Sequence, residues 1–222
     1  MSEIYLELTR DGSHTLVNPG LDEGYHAFAG AFTESVYVYI EKGLATHPIN
    51  NNVKILEVGF GTGLNAALSY QHCQQAGAEL YFHTLEPFPI SAQLAAKLNY
   101  PEFLEDAGKQ VFNALHQAPW QQQTDITSDF RLYKDETLLT KATLPEGHFD
   151  LVYFDAFAPK KQPSVWTMEN LEQCHRALKV GGMLVSYCAN GQFKRNLKAL
   201  GFKLEQCEGP MGRKEMTRAI KL

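Results

Sequence analysis

The pattern of hydrophobic and polar positions divides the chain into a turn-rich N-terminal stretch and a longer stretch of alternating strands and helices. Alternation over residues 4–8 and 14–17, between the turn sequences DGSHT, NPG and DEG, predicts a hairpin. The sequence AGAFTESVYVYIEKGL that follows predicts a helix leading towards the main domain. We therefore predict an N-terminal extension over residues 1–50 and a second domain over residues 51–222.

From residue 53 onward, apolar runs alternate with segments of helical periodicity. Predicted strands cover residues 53–58, 80–85, 130–133, 149–154, 183–187, 202–207 and 215–221, and predicted helices cover residues 64–75, 89–98, 102–117, 165–178 and 190–200. Apolar strands separated by helices are typical of a parallel sheet with helices on both faces. The last two strands flank the short turn GPMGR, which predicts an antiparallel pair at one edge of the sheet.

The composition is ordinary for a soluble α/β protein of 222 residues, with 44% apolar and 20% charged residues. No run of 18 apolar residues occurs, and the N-terminus has no apolar signal segment, so we expect no membrane contact and a cytoplasmic location. Four cysteines without a CxxC pair indicate reduced thiols and no metal site.

Charge is unevenly distributed along the chain. The net charge is −5, but residues 191–222 contain eight Lys and Arg against three acidic residues. That segment is therefore +5 and the remainder −10. The acidic body argues against general nucleic-acid binding, whereas the basic segment allows a localised anionic partner.

The stretch EVGFGTGLN, residues 57–65, joins a predicted strand to a predicted helix. Its glycines let backbone amides approach a ligand closely and tolerate left-handed torsion angles. The spacing G-x-G-x-G differs from the dinucleotide fingerprint G-x-G-x-x-G and favours S-adenosylmethionine over NAD, although a purely structural turn is the alternative. The cofactor-binding candidates in it are Glu57, Gly59, Phe60, Gly61, Thr62, Gly63 and Asn65.

Two carboxylates follow the next two predicted strands. Glu86 comes directly after residues 80–85, where ligands of open α/β sheets bind, and it can accept hydrogen bonds from both hydroxyls of a ribose. Asp135 follows the third strand and is the candidate for the adenine amino group, with Asp129 and Glu136 as competitors. An exposed loop carboxylate is the alternative for Glu86.

Asp155 ends the apolar strand 149–154 in the sequence YFDAFAP, which predicts a place at the bottom of a cleft. A carboxylate there is costly unless it is paired or used. Asp155 is therefore the candidate catalytic residue, binding and orienting a donor nitrogen beside the cofactor, and it is also a cofactor-binding candidate. A helix cap is the alternative. Lys160 and Trp166 follow it and suit phosphate contact and base stacking, but Trp166 is equally compatible with the core.

Several motifs together resemble one family. GFGTGLN, FHTLEPFPI, DAFAPKKQPSVWT and GPMGRKEM are similar, in order and spacing over about residues 25–222, to the methyltransferase domain of the tRNA 5-methylaminomethyl-2-thiouridine biosynthesis proteins (MnmC type). The resemblance implies a Rossmann-like class I S-adenosylmethionine methyltransferase, with a mostly parallel seven-stranded sheet, an antiparallel C-terminal edge and the small β-rich extension. Bifunctional members add an FAD-dependent oxidoreductase domain. This chain resembles the stand-alone form, which leaves open a separate oxidoreductase partner.

The resemblance implies N-methylation of the 5-aminomethyl group on a wobble (2-thio)uridine, with the tRNA anticodon loop as partner. A loop base must leave its stack to enter a pocket, so aromatic side chains become candidates together with basic ones for the phosphates. The substrate-binding candidates are Tyr25, Phe28, Phe157, Pro159, Lys160, Trp166, Lys194, Arg195, Arg213 and Lys214, with Glu34 and Ser35 matching a family segment near the cofactor. Solvated surface charge is the alternative for the basic residues.

Two rival functions stay open at this point. A small-molecule amine N-methyltransferase or an aminopropyl transferase would also use a carboxylate after the fourth strand, although lysines occupy the loop where an aminopropyl transferase usually has a second acid. A non-catalytic nucleotide-binding protein is disfavoured because Gly59, Gly61, Gly63, Glu86 and Asp155 are all present. The sequence does not reveal which tRNAs would be modified.

Overall fold

The computed structural model of the protein describes residues 3–49 and 51–222. The strands are β1 (Tyr5–Leu8), β2 (His14–Asn18), β3 (Glu23–Gly24), β4 (Asn52–Val58), β5 (Glu79–Leu85), β6 (Gln122–Thr127), β7 (Phe130–Asp135), β8 (Phe149–Phe154), β9 (Leu178–Ser186), β10 (Phe202–Glu205) and β11 (Thr217–Lys221). The helices are α1 (Ala31–Ser35), which continues directly as a π-helical segment (Val36–Glu41), α2 (Leu64–Gln75), α3 (Ala92–Ala95), α4 (Asp106–Gln117), α5 (Met168–Ala177) and α6 (Gly191–Ala199).

The main sheet has the strand order β10-β11-β9-β8-β4-β5-β7-β6. Its central strand β4 pairs in parallel with β5 on one side and with β8 on the other, so the winding direction reverses at β4. β11 runs antiparallel to β9, and β6 antiparallel to β7. The predicted Rossmann-like α/β fold with its antiparallel C-terminal edge is confirmed. The described sheet has eight strands where seven were predicted, because the polar segment β6 adds a second antiparallel edge.

The two faces of the sheet bury separate apolar layers. Side chains of β4 alternate between them: Ile55 packs with α2 and α4, whereas Leu56 packs with α5 and α6. This is the two-residue period of a strand that is covered on both sides. Helix α4 buries Val111, Phe112 and Leu115 on one stripe, the spacing expected of an amphipathic helix. The helices thus leave the carboxyl edge of the parallel strands free for a ligand.

The N-terminal strands form a separate three-stranded sheet in the order β1-β2-β3, and the predicted hairpin is the antiparallel pair β1–β2. Its turn is tied to α1, because the Asp11 carboxylate accepts hydrogen bonds from the Thr33 amide at 2.9 Å and the Thr33 hydroxyl at 2.8 Å. The division at residue 50 stays a prediction. Met1, Ser2 and Asn50, which belong to the predicted extension, lie outside the described residues.

Two predicted helices differ in the structure. The helix expected over residues 29–44 is α1 followed by a π-helical turn, and the one expected over residues 89–98 is only the short α3. Helix α3 begins where the Ser91 hydroxyl accepts a hydrogen bond from the Leu94 amide. It ends early because the Asn99 side chain ties the following chain to the N-terminal turn, accepting from the His14 amide at 2.7 Å and donating to the Gly12 carbonyl at 2.9 Å.

Within residues 3–49 and 51–222, no helix has the length and apolarity needed to cross a membrane. The same residues contain no group of three or more His, Cys, Asp or Glu placed to hold a metal ion. All four cysteines are buried as free thiols.

A buried lysine supports the segment that carries the glycines. Lys134, on β7, is only 1% exposed and donates a hydrogen bond to the Leu115 carbonyl at 2.8 Å, at the end of α4. Its ammonium lies 4.6 Å from the centre of the Trp120 ring and 5.7 Å from that of Phe60. Burial lowers the pKa of Lys134 to about 8. The ammonium is stabilised by helix-end carbonyls and by aromatic faces.

We expect Lys134→Ala to lower the free energy of unfolding by about 2–4 kcal/mol, since it opens a cavity and leaves the last carbonyls of α4 without a donor. Lys134→Met keeps most of the volume but cannot donate, so about 1–2 kcal/mol should be lost. Urea unfolding at pH 7 measures both. Equal losses in the two variants would show that packing of the lysine stem contributes nothing.

Candidate active site

One large cavity, of about 980 Å³, opens at the carboxyl ends of the parallel strands, around the point where the winding reverses. The loops after β4, β5 and β8 line it, and the segment from β3 towards α1 forms the opposite wall. Twelve predicted site residues line this cavity: Tyr25, Phe28, Glu34, Gly59, Phe60, Gly61, Thr62, Asn65, Glu86, Asp155, Phe157 and Arg213. The topology therefore brings together residues that are up to 188 positions apart in the sequence.

The glycine loop after β4 has a backbone that other residues would strain. Gly59, Gly61 and Gly63 have φ values of 99°, 50° and 72°. A Cβ atom on Gly59 would lie 2.6 Å from the Asp155 carbonyl oxygen, so the loop and the end of β8 touch through backbone atoms. On Gly61 a Cβ would lie 3.2 Å from the Tyr25 ring. The loop is thus packed closely between the strand ends and the N-terminal wall.

Glu86 lies at the end of β5 with both carboxylate oxygens held. Oε2 accepts a hydrogen bond from the Gly61 amide at 3.1 Å, and Oε1 accepts one from the Phe88 amide at 3.0 Å. Burial raises the pKa of Glu86, and these two amides act in the opposite direction. Each oxygen keeps a free lone pair, so the side chain is oriented to accept two further hydrogen bonds.

Asp155 stands at the cavity floor, one residue beyond β8. Its amide donates to the Val58 carbonyl at 2.9 Å, and its Oδ2 accepts from the Asn65 side-chain amide at 2.8 Å. Burial raises the pKa of Asp155 to about 7, although the Asn65 amide and the neighbouring Tyr39 hydroxyl act to lower it. A carboxyl group with this pKa changes charge near neutral pH, which is a property of proton-transfer and amine-binding sites.

Asn65 links Asp155 to a second, fully buried carboxyl group. Its amide nitrogen also donates to Glu57 Oε1 at 3.1 Å, and the Thr84 hydroxyl donates to Glu57 Oε2 at 2.8 Å. Burial, followed by the charge of Asp155, raises the pKa of Glu57 well above its ordinary value. Glu57 does not line the cavity, so the structure supports an indirect role, that of holding Asn65 beneath Asp155.

Two tyrosines that were not among the predicted site residues, Tyr39 and Tyr187, lie next to Asp155. The Tyr39 hydroxyl is buried beside it, although the two do not reach full hydrogen-bond geometry. Tyr187, directly after β9, lines the cavity and donates to the Ala156 carbonyl at 2.9 Å. Tyr187 is the last residue of the strand predicted over residues 183–187, and this position at the carboxyl end of a strand was a usable signal. Tyr39 gave none, because it sits in the apolar run VYVYI, whose π-helical turn brings its ring to 5.0 Å from that of Tyr153.

The wall opposite the glycine loop is aromatic. Tyr25 and Phe157 pack edge to face, with ring centres 5.0 Å apart, and both line the cavity. Phe28 lines it as well and is 47% exposed. An aromatic pair beside a half-exposed ring can hold a flat, unstacked base.

Glu34 and Arg213 form an ion pair at the same wall. Arg213 Nη1 donates to Glu34 Oε1 at 3.1 Å, and the Ala27 amide donates to Glu34 Oε2 at 2.8 Å. The Glu34 side chain is only 8% exposed, whereas that of Arg213 is 46% exposed. Burial raises the pKa of Glu34, and the Ala27 amide and the Arg213 charge lower it. Both residues were predicted site residues, but nothing in the sequence indicates that they pair.

The structure places the other predicted site residues outside the cavity lining. These are Glu57, Gly63, Asp135, Ser35, Pro159, Lys160, Trp166, Lys194, Arg195 and Lys214.

Several of these residues have partners elsewhere in the fold. Asp135 Oδ2 lies 3.7 Å from His83 Nε2 instead of facing the cavity. Trp166 packs in the core, with its ring centre 4.9 Å from that of Phe154. A place in the core was one of the two interpretations of Trp166, and base stacking was the other. Lys194 pairs with Glu215 at 2.5 Å on the surface. The roles predicted for these side chains remain predictions.

A doubly wound sheet with its cavity at the switch point, a glycine loop after the first parallel strand and a carboxylate after the second defines a nucleotide-cofactor enzyme of the methyltransferase type. A sequence profile of S-adenosyl-L-methionine-dependent methyltransferases matches residues 102–222. The chain belongs to that family, and S-adenosylmethionine is accordingly its cofactor.

Comparison with similar proteins indicates which kind of methyltransferase this chain resembles. The bifunctional tRNA 5-methylaminomethyl-2-thiouridine biosynthesis protein MnmC of Pseudomonas fluorescens (strain Pf0-1) is 30% identical over 205 residues, which are 85% of this chain and 30% of that protein. The crystal structure of MNMC2 from Aquifex aeolicus has a TM-score of 0.83 and 25% identity, covering 99% of this chain and 70% of that one. The predicted resemblance to the MnmC type is confirmed. This chain spans about a third of the length of the curated relatives it matches.

A third comparison bears on the aminopropyl transferase alternative. Spermidine synthase from Thermotoga maritima has a TM-score of 0.57 with 15% identity, covering 100% of this chain and 80% of that one. At this identity the likeness extends to the fold alone. It carries no argument for a polyamine reaction.

The residues present fit S-adenosylmethionine. Asn65 Oδ1 is buried at the cavity and has no hydrogen-bond partner among the described residues, so it can accept from an ammonium group. Glu86 offers two oriented oxygens for ribose hydroxyls. The glycine loop leaves no room for side chains at its closest contacts. These three features match a ligand with an amino-acid end and a nucleoside end.

Proposed function

We propose that this protein transfers a methyl group from S-adenosylmethionine to the 5-aminomethyl group of the wobble (2-thio)uridine in tRNA, giving 5-methylaminomethyl-(2-thio)uridine. The observation that carries the proposal is Asp155, a carboxyl group with a pKa near 7 at the floor of the cavity, beside the glycine loop. The names of the relatives supply the substrate class.

Cofactor binding is assigned to the strand ends. Glu86 would accept hydrogen bonds from the ribose hydroxyls, and Asn65 Oδ1 would accept one from the methionine ammonium. The amides of the glycine loop would approach the methionine part. When bound, S-adenosylmethionine supplies an electrophilic methyl group on a sulfonium centre. The protein therefore needs mainly to align the amine and exclude water.

Asp155 would bind and orient the amine. An alkyl amine has a pKa of about 10 by analogy with lysine, so it arrives as an ammonium ion and must lose one proton before its nitrogen can attack. In its ionised form Asp155 accepts a hydrogen bond from that ammonium and fixes the nitrogen in the cavity. The transfer would form a carbon–nitrogen bond as the carbon–sulfur bond breaks, with S-adenosylhomocysteine as the leaving group. Starting from the ammonium ion, the nitrogen loses one proton before the attack and a second one after it, two in all, for the product to be a neutral amine, with Asp155 and water as the available acceptors.

The aromatic wall would hold the base. Tyr25 and Phe157 form a pair against which an unstacked uracil ring can lie, and Phe28 provides a further exposed face. Basic residues of the C-terminal segment, Lys194, Arg195 and Lys214, would contact phosphates of the anticodon loop from outside the cavity. An FAD-dependent oxidoreductase activity would supply the amine, as the resemblance to bifunctional proteins suggests.

Methyl transfer from labelled S-adenosylmethionine tests this function directly. We expect tRNA carrying 5-aminomethyluridine at the wobble position to gain one methyl group, and nucleoside analysis to show 5-methylaminomethyluridine. The same tRNA with plain uridine at that position is the control and should gain none. Cofactor binding without transfer to the amine-bearing tRNA would overturn the tRNA substrate and favour a small amine.

A further inference from the structure

The ion pair between Glu34 and Arg213 links the buried wall of the cavity to the protein surface. Glu34 is buried in the cavity wall, and its charge acts on Asp155, because it is one of the causes that raise the Asp155 pKa. Arg213 reaches Glu34 from the mouth with one nitrogen, while nearly half of its side chain is exposed. The pair therefore spans the distance between the reacting centre and the surface.

The backbone around Arg213 presents its side chain from a tight turn. The Arg213 amide donates to the Pro210 carbonyl at 3.0 Å, and its carbonyl accepts from the Gly209 amide at 3.1 Å. Met211 and Gly212 within the turn have positive φ values of 51° and 79°. The turn fixes the Arg213 backbone, while its long side chain stays free to change partners.

Glu34 and Arg213 differ in which binding partners each of them could take instead of the other. Glu34 keeps one fixed partner, the Ala27 amide, and its other oxygen is held by the single Arg213 contact. A buried carboxylate that loses its only cation is strongly destabilised, so Arg213 can leave only if another cation takes its place. A primary ammonium is such a cation. A guanidinium that leaves the cavity wall is well suited to form a bidentate hydrogen-bonded pair with a phosphate.

We infer that Glu34 and Arg213 form a charge-exchange pair, in which the substrate ammonium replaces Arg213 at Glu34 and the released Arg213 binds a phosphate of the RNA. This inference rests on the proposed function. It makes Glu34 a second amine-binding carboxylate beside Asp155 and makes a cationic amine on an anionic strand the preferred substrate class. A neutral substituent cannot replace the guanidinium, and a free amine gives the guanidinium nothing to bind.

The exchange predicts effects of opposite sign for one substitution. Arg213→Ala removes a competitor for Glu34 and also a phosphate contact. It should therefore tighten binding of the free nucleoside 5-aminomethyluridine by at least about threefold, and raise KM for an anticodon stem-loop carrying the same base by about tenfold. The dependence of log KM on log salt should lose about one unit of slope for the stem-loop. A purely structural contact would weaken both substrates.

The substitution Glu34→Gln tests the carboxylate partner of the pair. It should weaken the nucleoside and the stem-loop alike, by about tenfold or more, and Arg213→Ala should have no further effect on nucleoside binding in that background. The uncharged analogue 5-hydroxymethyluridine should respond to neither substitution. Arg176→Ala is the matched control, because Arg176 is an exposed arginine on α5 that does not line the cavity. It should leave both constants within twofold of the wild type.

Nucleoside binding is measured by NMR titration in the presence of S-adenosylhomocysteine, and stem-loop KM by methyl transfer. Affinity for S-adenosylhomocysteine should stay within twofold in every variant, which also reports correct folding. Loss of that affinity in Arg213→Ala would assign Arg213 to the cofactor and overturn the exchange, as would weaker nucleoside binding in that variant. Absence of transfer by the wild-type protein would instead refute the proposed function itself.

Discussion

Asp155→Asn should lower kcat/KM for methyl transfer to amine-bearing tRNA by about 10²–10⁴-fold, the range seen when a group that handles a proton is removed. Asn65 can still donate to the new side chain, so the cavity floor keeps its shape. Affinity for S-adenosylmethionine should therefore change less than about threefold. Single-turnover methyl transfer and equilibrium cofactor binding measure the two quantities separately.

The pH dependence provides an independent check of the same group. Because Asp155 acts in its ionised form, kcat/KM of the wild type should rise with pH through about 7, and this rise should be absent in Asp155→Asn. Asp125→Asn is the matched control, since Asp125 is an exposed carboxylate on β6 paired with Arg131. It should keep the wild-type rate and profile. Near-normal turnover in Asp155→Asn would remove Asp155 from the mechanism.

The raised pKa of Asp155 also has a consequence for stability. Between its ordinary pKa of 3.8 and its folded value of about 7, the folded protein holds a proton that the unfolded chain has lost. The contribution of Asp155 to stability therefore falls as pH rises across that window. Asp155→Asn should melt at a higher temperature than the wild type at pH 8 and at a similar one at pH 4. A variant that only disrupted packing would melt lower at both.

The parts of the site that could be predicted are those that follow from parallel strands. The carboxyl ends of β4, β5 and β8 meet at one edge, so the glycine loop, Glu86 and Asp155 were expected together and are found together. The same reasoning placed Asp135 at the cavity, but the structure has Asp135 outside the cavity lining, because a side chain at a strand end can point to either face of the sheet. There it turns towards His83.

The remainder depended on contacts that the sequence pattern does not encode. The edge strand β6 has the polar sequence QQTDIT, and its backbone pairs with β7. Glu34 and Arg213 are 179 positions apart, and only the packing of the C-terminal turn against α1 brings them together. For Trp166, the sequence pattern suggested a functional role where the structure shows a buried side chain. Its sequence position suited base stacking, yet its indole donates to the Phe157 carbonyl at 2.8 Å from within the core.

Gly59→Ala should weaken binding of S-adenosylmethionine by about 10–100-fold, because it separates the glycine loop from the catalytic strand end. The added Cβ would lie 2.6 Å from the Asp155 carbonyl oxygen, which is backbone and cannot rotate away. A φ of 99° adds strain for any residue with a Cβ. Together the two effects cost about 2–5 kcal/mol, and the loop can relieve them only by moving into the cofactor space.

Gly77→Ala separates conformational strain from the clash. Gly77 also has a positive φ, of 69°, but a Cβ there would meet no atom within 4 Å. It should lower the melting temperature while leaving cofactor affinity within about twofold. Isothermal titration with S-adenosylmethionine measures both variants. Equal affinities in Gly59→Ala and Gly77→Ala would show that close contact between the loop and Asp155 is not needed to form the site. A loss confined to Gly59→Ala would show that this contact shapes the cofactor site.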